Sequence, residues 1–248
     1  MLILGIDTST MVCSVALARE NQIVGEYTLQ NKKTHSQRLM PLISAVIENC
    51  DFTPGDLGGI SVTCGPGSFT GIRIGVAAAR ALSQALGIPL VGIPTLDVLA
   101  FQFNYGEGLI CPLLDARRGE VYSAVYRSSG EQIERITNYM AVPLRELLEF
   151  LIAAPEEKII FLGDAMDKYR DLLQETLKAR ACFAPPFLRV NRGALVAYLG
   201  LNRICSEKHR DNYLHLKPMY LRRSEAEVKW EERQKGDDGA AAAERTEP

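Results

Sequence analysis

One short plan is written twice along this chain, and nothing else in the sequence narrows its possible folds as much. The stretch I-L-G-I-D-T-S-T-M-V-C-S-V-A-L-A-R-E-N-Q-I begins at Ile3, and I-C-P-L-L-D-A-R-R-G-E-V-Y-S-A-V-Y-R-S-S-G-E-Q-I begins at Ile110. With a longer turn in the second copy, Asp115 overlies Asp7, Ser123-Ala124-Val125 overlies Ser14-Val15-Ala16, and Gln132-Ile133 overlies Gln22-Ile23. Each copy is a β-rich run, a polar turn opened by aspartate, and a second β-rich run. A chain that repeats strand, turn and strand, each time followed by helix and strand, is expected to fold into two related α/β lobes.

The elements between the copies follow from periodicity. Strands are predicted at Met1 to Ile6, Val12 to Ala18 and Gln22 to Leu29, and a helix is predicted after a capping box formed by Thr34 and Gln37. That helix carries Leu39, Leu42, Ile43, Val46 and Ile47 at helical spacing, with Pro41 inside it. A buried strand from Gly59 to Cys64 leads through the loop G-P-G-S-F-T-G into a long apolar helix from about Ile72 to Leu86, closed by Gly87. Strand Leu90 to Ile93 and a helix capped by Thr95 complete the half, and a Gly-rich stretch around Gly106 and Gly108 precedes the restart. In the second half a helix from Pro143 to Ala153, a strand from Lys158 to Leu162 and a helix capped by Asn191 and running to Lys208 are expected. This divides the chain into a first lobe of residues 1–105, a smaller second lobe of 106–223 and a tail of 224–248 that is expected to be disordered, being charged and alanine-rich without apolar periodicity.

Charge and cysteine usage remove several classes of function. A formal net charge of −2 lacks the basic stripe of a domain that grips nucleic acid alone, so any RNA substrate would be held by another subunit. The six cysteines form no C-x-x-C pair and read as reduced thiols of a cytosolic protein. Neither a leader peptide nor a membrane span is expected.

Two loops could carry chemistry. An aspartate closing a first strand, followed by Thr8, Ser9 and Thr10, suits a phosphate and its magnesium, since carboxylate, hydroxyls and turn N–H groups can converge there. The same four residues serve equally as an Asx or ST turn closing a hairpin. Proteins that hold ATP between two related lobes need both turns to approach the phosphates, and here the second turn is A-R-R-G, with Arg117 and Arg118 where small residues belong. The Gly65 to Gly71 loop opens a helix but is no Walker loop, because no Lys-Ser or Lys-Thr follows it. Its other reading is a tight turn with Ser68 or Thr70 as helix cap. His35, His209 and His215 have no metal-ligand spacing, and no G-x-S-x-G elbow is present.

The two long helices have more apolar surface than one sheet covers. Gly71, Gly75 and Ala79 recur every four residues beside Ile72 and Val76 and would let another helix approach closely. Ile74, Ala77 and Ala81 are apolar on other faces, and Met40 lies off the main stripe of the first helix. Periodicity leaves open which apolar face points outward.

With D-T-S-T, H-S-Q-R-L-M-P-L-I, C-G-P-G-S-F-T-G-I-R-I-G, L-L-D-A-R-R-G-E-V-Y and the late P-M-Y-L-R, the chain resembles the bacterial TsaB family, formerly YeaZ, over about residues 1–223. The resemblance implies a duplicated actin-like, Hsp70-like α/β fold with a shortened second lobe. It implies a non-catalytic partner subunit for a TsaD-like transferase that makes threonylcarbamoyladenosine at tRNA adenosine 37, joined by a TsaE-like ATPase. It further implies a homodimer when the partner is absent, tRNA contact only through the complex, and ATP or ADP with magnesium at the complex interface. The family's partner contact, a bundle made by the first two helices, would place Leu39, Met40, Ile43, Ile72, Gly75, Val76 and Ala79 at the interface. Two other readings are a stand-alone ATPase or kinase of the same fold, which A-R-R-G speaks against, and a glycoprotease-like peptidase, for which the sequence offers no metal pair or nucleophile-base pair.

Overall fold

The computed structural model describes residues 1–20, 22–31, 34–103, 107–130, 132–154, 158–206 and 213–222. The expected tail, His209, Gly106 and Lys208 lie outside the described residues. The chain opens with an antiparallel meander of β1 (Ile3–Asp7), β2 (Cys13–Arg19) and β3 (Gln22–Leu29). Then come α1 (His35–Glu48), β4 (Gly59–Gly65), α2 (Phe69–Leu86), β5 (Leu90–Pro94) and α3 (Thr95–Phe101). β4 runs parallel to β1 and β5 parallel to β4, so the sheet order is β3-β2-β1-β4-β5.

The second half contains β6 (Glu107–Arg117), β7 (Glu120–Ser123), β8 (Tyr126–Ser129), β9 (Ile133–Arg135) and β10 (Met140–Pro143). These are followed by α4 (Leu144–Ala153), β11 (Ile159–Leu162), α5 (Met166–Leu177), β12 (Ala181–Phe183) and α6 (Gly193–Cys205). Its order is β10-β7-β6-β11-β12, with β8 continuing along β6 and β9 pairing on β8. Treated as one broken strand, β7 and β8 take the place of β2, and the topology of the first sheet is repeated. α5 carries only three buried residues, Met166, Leu173 and Leu177, and so has a weak periodic signal in the sequence.

Both faces of each sheet are covered, and β1 and β4 are accordingly buried along their whole lengths. α1 and α2 pack on one face of the first sheet through Leu39, Ile43, Ile72, Val76 and Ala79. Its other face receives α6 from the far end of the chain, where Val196, Ala197, Leu201 and Ile204 meet Ile3, Val91 and Ile93. In the second sheet, α4 and α5 cover one face, while Leu96, Leu99 and Ala100 of α3 meet Ile110, Leu114 and Tyr126 on the other. The last helix of each half therefore serves the sheet of the other half.

Four helix starts differ from expectation: Pro94 rather than Thr95 stands at the N-cap of α3, Pro143 is the N-cap rather than the first residue of α4, and α1 and α6 differ as well. Thr34 stands at the N-cap of α1, but its hydroxyl pairs with Ser36 Oγ at 3.0 Å, and the Gln37 N–H goes to the Thr34 carbonyl. α6 begins after Arg192, because Asn191 is drawn away to the first turn. Ser68 does cap α2, accepting from Gly71 N at 3.2 Å, and Gly87 closes that helix in the left-handed conformation.

Candidate functional site

The first turn is sealed. β1 places Asp7 at the inner end of the sheet with Asp7, Thr8 and Ser9 fully buried and Thr10 nearly so. Asp7 Oδ1 accepts from Ser9 Oγ at 2.6 Å, Thr63 Oγ1 at 2.7 Å, Asn191 Nδ2 at 3.3 Å and Ser9 N at 3.4 Å. Asn191 Nδ2 also donates to Ser9 Oγ at 3.1 Å. The loop from Gly65 to Gly71 lies directly on the turn: Ser68 N donates to the Ser9 carbonyl at 2.7 Å, and Thr8 Oγ1 donates to the Gly71 carbonyl at 2.7 Å. A Cβ at Gly67 would overlap the Ser9 carbonyl, and one at Gly71 the Thr8 carbonyl, so these glycines are present for close approach of two backbones.

Two buried oxygens in this cluster have no partner, Asp7 Oδ2 and Asn191 Oδ1. Burial pushes the Asp7 carboxyl well above the ordinary carboxylate range, against the hydrogen bonds from Ser9, Thr63 and Asn191 that favour the anion. A proton on Oδ2 would remove the unpaired negative charge from this buried cluster. The expected magnesium-phosphate turn at Asp7, Thr8, Ser9 and Thr10 does not fit this arrangement, because the carboxylate has no accessible surface and the chain's own loop occupies the approach.

The second turn is no cradle either. β6 runs through Asp115 to Arg117 and closes a tight hairpin in which Arg117 pairs with Glu120. Arg117, Arg118 and Gly119 all have positive φ, at 63°, 51° and 83°. Ser123 lies opposite Leu113, whereas Ser14 lies opposite Asp7, so Asp115 is carried beyond the position its sequence overlay on Asp7 suggests. Asp115 Oδ1 accepts from Arg117 N at 3.0 Å and Lys168 Nζ at 3.4 Å, and Asp115 N donates to Asp164 Oδ1 at 3.0 Å.

The late motif straps the two turns together, a role that its sequence did not reveal. Met219 N donates to the Cys64 carbonyl at 2.6 Å, and the Tyr220 ring packs on Phe69 with centroids 4.7 Å apart. Arg73 of α2 lies over Phe69 and donates to Tyr220 Oη at 2.8 Å. Two residues on, Arg222 donates to the Ala116 carbonyl at 3.0 Å and pairs with Glu120 at 2.9 Å. His35 joins α1 to the first turn through Nε2 and the Thr10 carbonyl at 2.8 Å. Among the described residues no cluster of three or more His, Cys, Asp or Glu could hold a metal.

The helix pair divides the expected interface residues. Leu39, Ile43, Ile72, Gly75, Val76 and Ala79 are buried in the chain's own core, and Met40 alone of the seven is exposed, at 48%. The Gly71, Gly75 and Ala79 row faces the sheet and the first turn, where a Cβ at Gly75 would overlap Thr8 Oγ1. Its close-approach surface is thus used internally, which corrects its assignment to a partner helix. The outer face presents Gln37, Met40, Pro41 and Ser44 of α1 beside Arg73, Ala77 and Ala81 of α2, with Ile74, Ala78 and Leu82 half-buried along it.

Comparison with known proteins identifies the chain's relatives. The family model of TsaD, tRNA N6-adenosine threonylcarbamoyltransferase, matches residues 22–230. The tRNA threonylcarbamoyladenosine biosynthesis protein TsaB of Bacillus subtilis is 36% identical over 95% of this chain and 100% of its own length. The Escherichia coli protein of the same name is 34% identical over 71% of this chain and 77% of its own. YeaZ from Pseudomonas aeruginosa superposes with a TM-score of 0.72 at 24% identity, over 89% of this chain and 99% of that structure. The fold is the duplicated, actin-like α/β architecture that the sequence motifs implied.

Proposed function

Since the chain belongs to the TsaB family, we propose that it supports threonylcarbamoyladenosine formation in tRNA as a non-catalytic subunit, by offering the outer face of α1 and α2 to a TsaD-like transferase. The observation that carries this reading is the outer face itself. Its central residues Ala77 and Ala81 are small enough for another helix to come close, and Met40, Pro41 and Ile74 add apolar surface that the chain's own sheet does not cover. The sealed first turn and the hairpin in place of a second phosphate turn support the absence of catalysis by this chain alone. A nucleotide with magnesium fits this reading only at the interface of the complex, where a TsaE-like ATPase would also join. The same surface accounts for a homodimer when the transferase is absent. tRNA is reached through the complex, as the net charge of −2 provides little phosphate neutralisation. In this reading the protein works in the cytosol, with residues 1–105 as the lobe that carries the interface and 106–223 as the smaller lobe.

The test is a pair of charge insertions. Ala77→Glu is expected to leave a cooperatively folded monomer that no longer co-purifies with the TsaD-like protein, because a partner helix would bury an unpaired carboxylate. Val76→Glu is expected to unfold the chain, because that side chain is only 3% exposed in the core. A folded Ala77→Glu variant that still captures the transferase would refute the interface. Steady ATP turnover that vanishes in Asp7→Ala would refute the non-catalytic role.

A further inference from the structure

At the seam between the halves, α3, α6 and the β8–β9 pair line an open cavity of about 360 Å³ bounded by Asp97, Phe101, Tyr126, Ile133, Arg135, Tyr139, Leu199 and Arg203. We propose that this cavity binds a small organic anion, a carboxylate or phosphate monoester on a flat apolar body. Its volume lies within the range of about 300–1,000 Å³ typical of small-molecule sites.

The choice of ligand follows from which polar groups are already committed. Asp97 Oδ1 accepts from both phenols, Tyr126 at 2.7 Å and Tyr139 at 2.8 Å, and Asp97 Oδ2 faces Arg203 Nη2 at 3.6 Å. Arg203 Nη1 is held by the Gly92 carbonyl at 2.8 Å. The single carboxylate of the cavity is thus surrounded by donors, and its charge is offset by Arg203. Burial and the neighbouring Asp97 charge push both phenols upward, so they remain donors throughout the working pH range and this network does not rearrange.

Arg135 is the group left over. Its guanidinium carbon lies over the Tyr139 ring, 3.8 Å from the centroid, and among the described residues it has no hydrogen bond or ion pair. The ring contact holds the guanidinium at the cavity wall while its N–H groups stay available to an acceptor, and their fork matches two oxygens of a carboxylate or phosphate. A cationic or purely donor ligand would find Asp97 already satisfied. The remaining walls, Phe101, Ile133 and Leu199, are apolar and would accept a ring or short hydrocarbon.

The experiment titrates the full chain, uniformly labelled for NMR, with benzoate, phenyl phosphate and the neutral isostere benzamide, and follows the Tyr126, Tyr139 and Leu199 signals. Saturable shifts of these signals are expected with at least one of the two anions, and benzamide should bind at least about tenfold more weakly, since a hydrogen bond to a charged group contributes about 1.5–3 kcal/mol. Arg135→Gln, an exposed change on β9, should leave folding intact and reduce anion affinity by a similar factor. Whichever anion binds better identifies the source as carboxylate or phosphate. Equal binding of benzamide and benzoate, no saturable shift with either anion, or unchanged affinity in a folded Arg135→Gln variant would overturn the site.

Discussion

Replacing Asp7 by asparagine separates the two charge states that the buried first turn could hold. In the wild type, Oδ1 takes donors from Ser9, Thr63 and Asn191, while Oδ2 and Asn191 Oδ1 are both buried without a donor. Asparagine retains an acceptor for the first group and carries no charge, so Asp7→Asn should mimic the neutral acid. Below about pH 3.9, where the acid is neutral in both folded and unfolded states, its cost is expected to be within about 1 kcal/mol. Asp7→Ala instead strands three side-chain donors, at about 1 kcal/mol or more each, and should cost at least about 3 kcal/mol. The pH dependence has a definite sign. The folded-state value is raised above the unfolded one, so the stability contributed by the bound proton is complete below about pH 3.9 and is lost as pH rises through the folded-state value. Between those limits wild type should lose about 1.4 kcal/mol per pH unit relative to Asp7→Asn, because the asparagine cannot ionise. Urea unfolding of both proteins at a series of pH values rising from about 3.9 gives that difference directly, with other titrating groups cancelling to first order. A flat difference across this range, together with an asparagine variant as unstable as the alanine one, would refute the neutral-acid reading.

Three further outcomes follow from the packing. Gly71→Ala should destabilise by about 1–3 kcal/mol or more in thermal melts, because its Cβ would overlap the Thr8 carbonyl and neither backbone is free to yield. Arg222→Ala should cost only about 1 kcal/mol but should speed hydrogen exchange at the Met219 amide, since the strap loses its hold on Ala116 and Glu120. Cys205 is exposed, whereas burial pushes the Cys13 thiol up to about 11 and the Cys111 thiol up to about 12. Mass spectrometry after alkylation near pH 8 should therefore find Cys205 modified early and these two only as the chain unfolds.

Much of the architecture was legible because it is written in local periodicity. β3 and the C-terminal cap of α2 fall where a β-rich run and Gly87 put them, and the restart at Ile110 pointed to a second lobe related to the first. α5 was not legible, since a helix that buries three side chains leaves little apolar pattern. Asn191 had the chemistry of a helix cap, and nothing local distinguished that use from a hydrogen bond to Asp7 on the other side of the molecule.

The sequence by itself determined the duplicated α/β plan, the family, and the presence of two apolar helices with more hydrophobic surface than one sheet requires. Which helical face turns outward was decided only by tertiary structure. Residues at a spacing of four share a face whatever that face meets, and it is the closeness of Thr8 to α2 that sends the Gly71 and Gly75 row inward and leaves Ala77 and Ala81 outside. The state of the first turn was likewise decided at a distance. D-T-S-T has the residues of a phosphate turn, but the loop after β4 and Asn191 close over it, and burial raises the cost of its charge.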